Sequence, residues 1–380
     1  MNVPHDTIVS PHDQRVTWVE LFFDLVFVFC VTQVVATLKY LSVGSAASAL
    51  LIFWLVWWGW TQFAWALNAA NTDHPRVQLT TLLATGVGFF LGIGIPRALG
   101  DDALWFAVPY VVLRMIGLLL YYWVASADPL QRRAVKIFGL FSLGGVLAVM
   151  TGAMNGGQAQ YWWWSVAIAL DLAAAGVGGQ LEGWNLHPEH FAERHGLIVI
   201  IALGETLIVA AAGLSGTAAA PVAVATGVLT VAVSGTLWWG YFRTVRPVLA
   251  DALEVRTGSE RSCLARDVFS VLHFPMLCGV IALAAATKDA LAHPESALAW
   301  NARIALGGGA LLFVCGAAAA VWRATGRLLV WRVVLIALAA PAAVIAGGVP
   351  WIAMGVLFAA LVVIATIEHR YSWGAPAAGT

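Results

Sequence analysis

The stretch WVELFFDLVFVFCVTQ, residues 18–33, is apolar enough to enter a membrane and yet carries two acids, Glu20 and Asp24. Read as a helix it rises about 1.5 Å per residue, which puts Asp24 roughly 10 Å past the start and inside the hydrocarbon zone. A lone carboxylate there costs about 2.5 to 3.5 kcal/mol on insertion scales. The two acids are four residues apart and so leave the helix on one face, which must turn toward partners or water.

The rest of the chain agrees with a membrane setting. Of its 380 residues 61% are hydrophobic and 11% charged, against about 25% charged in an ordinary soluble domain. Formal net charge is zero and no long basic run occurs, which excludes nucleic acid as a partner despite the abundant tryptophan. Cys30, Cys263, Cys278 and Cys315 form no CxxC pair and read as small apolar side chains. The N-terminal MNVPHDTIVSPHDQR lacks a basic region and a small-residue cleavage site, so the first apolar segment is expected to stay as a helix.

With about 20 apolar residues needed per span, about twelve transmembrane helices are predicted. They cover 17–38, 46–69, 77–96, 103–125, 134–153, 159–178, 195–214, 220–242, 266–287, 299–320, 328–346 and 349–367. The fold class is an all-α polytopic membrane protein. Arg15, Arg76, Arg132, Arg133, Arg261 and Arg327 fall in loops on the N-terminal side, against Lys39, Arg97, Lys288 and Arg303 on the other. Basic loops stay in the cytoplasm, so both termini are predicted inside. VWWGW (56–60) in the second span recurs as LWWGY (237–241) in the eighth. This suggests two parallel six-helix repeats, residues 1–180 and 181–380, the second opened by a His/Glu-rich cytoplasmic loop.

Further ionisable residues lie within predicted spans: Arg114, Asp171 and Glu205 at mid-span, and His273 in the first half of its own. A guanidinium at that depth needs an acid, and Asp171 or Asp24 would serve Arg114. Glu205 follows Gly204, a small residue that would let another backbone approach, and reads as a group that binds and releases a proton. With Glu20 and Asp24 these residues make the expected substrate or proton site, a cluster in the cytoplasmic half of the bundle. The loop EGWNLHPEHFAERHGL (182–197) gathers His187, His190, Glu193 and His195. Glu193, Arg194 and His195 are expected to form a gate at the membrane surface. His190 and Glu193, at i and i+3, with Glu20 or Asp24, are the candidate metal ligands, but the spacing matches no zinc or histidine-box motif and no metal or other cofactor is favoured. The tryptophans of the second span and Trp162–Trp164 read chiefly as interfacial belts, or else as an aromatic cage for a substrate. In GVGFFLGIGIP (86–96) the glycines fit close packing or a broken helix.

WVELFFDLVFVFCVTQ, HFAERHGLIVIIALGET (190–206) and VLHFPMLCGVIALAA (271–285) together resemble the low temperature requirement protein A family of bacterial membrane proteins. The resemblance spans nearly the whole chain and implies a multi-pass protein of the bacterial inner membrane with acidic and His positions at Glu20, Asp24, Glu193, Glu205 and His273. It implies little chemistry, because the family name records a growth phenotype. Buried carboxylates and the repeat favour a proton-coupled secondary transporter of a small solute. The alternatives are an intramembrane enzyme acting on a lipid or isoprenoid at Glu20, Asp24, His190 and Glu193, and a membrane stress sensor. No Walker motif or nucleotide fingerprint is present to support energy coupling by nucleotide hydrolysis.

Overall fold

The structure, a computed structural model, describes residues 8–11, 14–216 and 220–370. Its helices are α1 (Trp18–Thr37), α2 (Val43–Ala69), α3 (Pro75–Arg97), α4 (Leu104–Val124), α5 (Pro129–Asn155) and α6 (Gly157–Gly179), then α7 (Pro188–Gly216), α8 (Pro221–Glu254), α9 (Gly258–Ala292), α10 (Trp300–Thr325), α11 (Val330–Ala346) and α12 (Pro350–Arg370). Among the described residues there is no strand, only an isolated bridge between Val9 and Ala70. Ten of these helices are long and apolar enough to cross a membrane. The exceptions are α6, which mixes glutamines and Asp171 with its apolar residues, and α11, which has 17 residues. The chain is a multi-pass helical membrane protein.

Several helices begin earlier than hydropathy predicts, because capping rather than apolarity sets the start. Asp128 accepts from the Leu130 N–H and Pro129 fills the first helical position, so α5 starts there. The predicted cytoplasmic loop ahead of the seventh span is helical from Pro188, and His190, Glu193, Arg194 and His195 all lie in the opening turns of α7.

The chain forms two compact units that interleave in sequence: Met1–Ile201 with Ala250–Phe274, and Ala202–Leu249 with Pro275–Thr380. In the first unit α3 packs between α1 and α4, and α5 lies along α6. Glycines make these approaches possible. A Cβ on Gly88 would meet Val26, one on Gly92 would meet Phe29, and one on Gly94 would strike the backbone of Trp105. The glycine-rich run is thus a packing surface, and α3 stays unbroken until its closing 3₁₀ turn at Ile95–Arg97. In the second unit α8, α11 and α12 pack together, and Gly279 of α9 lies against the carbonyl of Gly309 in α10.

The tryptophans of α2 are core residues rather than a belt: Trp54, Trp57, Trp58 and Trp60 are buried, whereas Trp162 and Trp163 of α6 are exposed. Two of the α2 indoles serve a π turn in α9 at Arg266–Val271. There the backbone bonds span five residues, as from Leu272 N–H to Asp267 O at 3.0 Å, and nearby carbonyls need other donors. Trp57 Nε1 donates to Ser270 O at 2.8 Å and His273 Nδ1 to Val268 O at 2.7 Å, while Trp65 Nε1 reaches Ser270 Oγ at 3.0 Å.

Candidate functional site

The first unit holds a wholly buried ionic cluster made by α1, α2 and α7. Glu20 opens α1, where one carboxylate oxygen accepts from the Thr17 N–H and hydroxyl, both at 3.0 Å. That is the acidic half of a capping box, and it fixes the side chain at the helix start. The other oxygen takes Arg194 Nη1 at 3.2 Å. One turn further on, Asp24 Oδ1 accepts from Arg194 Nη2 at 2.6 Å and from Trp60 Nε1 at 2.8 Å. The guanidinium also lies 5.5 Å from the Trp60 ring centroid, a cation–π contact.

His190, one turn before Arg194, completes the cluster with Nε2 3.2 Å from Glu20 Oε1. Its protonation follows from Asn68 of α2. The Asn68 amide is oriented by the backbone of His187, whose N–H donates to Oδ1 at 2.8 Å and whose carbonyl accepts from Nδ2 at 3.1 Å. Nδ2 therefore donates to His190 Nδ1 at 2.9 Å. A ring nitrogen that accepts cannot carry a proton, so His190 is neutral with its proton on Nε2, facing Glu20. With both acids ionised the count is two carboxylates against one guanidinium, which leaves one negative charge over. Asp24 Oδ2, Arg194 Nε and His195 Nε2 are buried without a hydrogen-bond partner. His195 donates through Nδ1 to Phe191 O at 2.9 Å, and its ring stands edge-on to Trp60 and 5.5 Å from the ring of His273.

Arg114 and Asp171 form a second cluster in the same unit. Arg114 Nη2 lies 3.1 Å from Asp171 Oδ1 and 2.5 Å from Ser142 Oγ, and Nη1 donates to Tyr110 Oη at 2.7 Å. Asp24 therefore belongs to Arg194, not to Arg114, and the expected single cluster is two. His273 stands with His195. Glu205, buried, is in the second unit; no atom lies within 4 Å of a Cβ built on Gly204, so no backbone approaches there. Arg194 and His195 are 0% exposed, so neither is a surface residue. Glu193 Oε2 lies 3.5 Å from the Val16 N–H, on the same helix but outside the Glu20–His190 contact. Among the described residues no three His, Cys, Asp or Glu side chains are grouped as metal ligands.

Sequence reasoning missed Trp60, Asn68, Tyr110 and Ser142, which no charge pattern marks. It also missed Arg194 as the counter-charge, although a signal was present: His190 and Arg194 repeat the four-residue spacing of Glu20 and Asp24, two complementary helix faces.

Comparison with known proteins agrees with the whole-chain resemblance. A curated relative, an uncharacterised protein of Rhizobium meliloti (strain 1021), is 28% identical over 320 residues, covering 80% of this chain and 76% of the relative. No solved structure matches. The profile of the bacterial low temperature requirement A protein matches residues 15–367, and the chain belongs to this family, LtrA.

Proposed function

We propose that the chain is a proton-coupled secondary transporter of a small solute, with the α1–α7 cluster as its proton site. The observation that carries this reading is the charge imbalance: two carboxylates share one guanidinium out of water while Asn68 keeps His190 neutral. An unbalanced buried charge is costly, so the cluster is suited to take up a proton or a solute cation and release it as its surroundings change. Asp24 Oδ2, without a partner, is the acceptor in this scheme. Arg114, Asp171 and His273 stabilise the bundle interior, and Glu205 is a further proton-binding carboxylate in the second unit.

The contact pattern also supports the repeat. Glu20 meets His190 and Asp24 meets Arg194, so α1 and α7 run in the same direction at this contact. Parallel six-helix repeats, 1–180 and 181–380, require that. The Arg and Lys distribution supports both termini in the cytoplasm and a bacterial inner membrane location.

The test is proteoliposomes loaded with a pH-sensitive dye and challenged with a panel of small solutes. Transport predicts that at least one solute moves protons in the wild type and fails to do so in Asp24→Asn. No solute-evoked pH change, or one that Asp24→Asn leaves intact, would refute the proposal.

A further inference from the structure

A cavity in the first unit, separate from the ionic cluster, has an empty volume of about 470 Å³ including the solvent at its mouth. Trp58, Thr61, Gln62 and Trp65 line it from α2 at positions i, i+3, i+4 and i+7, one face of the helix. Tyr121, Phe138 and Trp184 complete an aromatic wall, with Trp184 5.3 Å from Tyr121 and 5.5 Å from Trp65 between ring centroids. The end of α6 adds a small, apolar part of the lining, Ala174, Ala175, Gly178 and Gly179.

Two polar atoms in this wall lack partners, Thr61 Oγ1 and Gln62 Oε1, on side chains 3% and 2% exposed. Neither vacancy is forced by local structure. Helical threonines here return their hydroxyl to the carbonyl four residues back, as Thr81, Thr85, Thr226 and Thr230 do at 2.8 to 2.9 Å. Thr61 does not. The Gln62 amide is oriented by its Nε2, which donates to Arg114 O at 3.1 Å, so the acceptor oxygen is the end left over. Leaving such atoms buried and unmatched is costly, and a ligand's own polar groups remove that cost.

The lining also decides the ligand's charge. The one fully charged side chain in it, Arg266, is taken up by Asp267 at 2.6 Å and by the carbonyls of Ala175 and Gly176 at 3.2 and 3.3 Å. Its charge is thereby countered by Asp267, and no acid is among the lining residues to hold a cation. The site suits a neutral, flat, mostly apolar group.

We propose that this cavity binds an aromatic ring bearing an O–H or N–H donor, the ring against Trp65 and Trp184 and the donor on Gln62 Oε1, with Thr61 Oγ1 as the second contact. The site stands whether or not the chain is a proton-coupled transporter. Its chemistry fits both a free small phenol and a phenolic headgroup on a lipid tail, and chain length separates the two.

The experiment is titration of the purified full chain in detergent with phenol, 4-nonylphenol, nonylbenzene and tetraethylammonium, read by tryptophan fluorescence and calorimetry. Saturable binding of a phenol is expected, about ten-fold tighter than any binding of nonylbenzene; preference for phenol itself marks a free ligand, and preference for nonylphenol a lipid-borne one. Thr61→Val deletes an atom that bonds nothing in the fold, so it should raise the melting temperature while weakening the phenol several-fold. Gly178→Val, which builds into the cavity toward Trp184, should abolish binding. Absence of saturable phenol binding to a folded wild type, equal affinity for nonylbenzene, stronger binding of tetraethylammonium, or affinity unchanged in both variants would overturn the assignment.

Discussion

Replacing Arg194 by Gln tests the ionic cluster where it is most exposed to failure. The guanidinium holds Asp24 at 2.6 Å and Glu20 at 3.2 Å, and all three side chains are out of water. Taking one partner out of a buried pair costs about 3 to 5 kcal/mol, because the remaining charge stays buried and uncompensated. Here the loss leaves two carboxylates facing each other across one helix turn. For a unit of about 150 to 250 residues each kcal/mol moves the melting temperature by about 2 to 4 °C, so Arg194→Gln should lower the apparent midpoint by roughly 6 to 20 °C. Asp24→Asn alone should cost less, since Arg194 keeps Glu20. The informative variant is Arg194→Gln with Asp24→Asn, which returns the charge count to that of the wild type and should recover several degrees of the Arg194→Gln loss. Thermal unfolding of detergent-solubilised protein, followed by intrinsic fluorescence and by the monodisperse fraction on size exclusion, gives the four midpoints. A double variant less stable than Arg194→Gln, or an Arg194→Gln protein as stable as the wild type, would show that the imbalance is not what the cluster manages.

Three other outcomes follow from contacts already described. Asn68→Leu removes the two bonds to the His187 backbone and the donor to His190 Nδ1, and should cost about 1 to 3 kcal/mol in the same melting assay. Arg114→Lys keeps the charge but loses the fork that reaches Tyr110, Ser142 and Asp171 together, and should lower stability by about 1 to 3 kcal/mol in the same melting assay. Two substitutions in α3 should move in opposite directions: Gly92→Ala runs into Phe29 and destabilises by about 1 to 3 kcal/mol, whereas Gly86→Ala meets open space and stabilises by up to about 1 kcal/mol.

The helices were legible because each is a long apolar run broken by polar or proline punctuation, as at NTDHPR (71–76), and the family followed from three motifs. Ion pairing was less so. Glu20 and Asp24 announced a partner by being charged in an apolar run, but Arg194 looked like a surface residue because the polar sequence around it reads as a loop. Proline at 188 starts the helix there instead, and the first turns carry Arg194 inward. The aromatic wall was hidden for the opposite reason: tryptophan near a span end has two physical explanations, and only the packing of α4, α5 and the segment before α7 against α2 chooses between them. Glu205 shows the limit of reading from neighbours in sequence, since the small residue before it faces open space rather than a backbone.

The π turn in α9 has a consequence for phase. A wide turn accommodates one residue more than an α-helical turn does, so side chains beyond Val271 are rotated by about 100° relative to an uninterrupted helix. Hydropathy plots and composition are blind to this, because nothing about the apolar content changes. A single-residue deletion between 266 and 271 would keep α9 long and apolar enough to insert, yet it would swing His273 off the Val268 carbonyl and away from His195 and withdraw Ser270 from the indoles of Trp57 and Trp65. Length variation among relatives should therefore be least tolerated at this point of α9, where the sequence itself looks most ordinary.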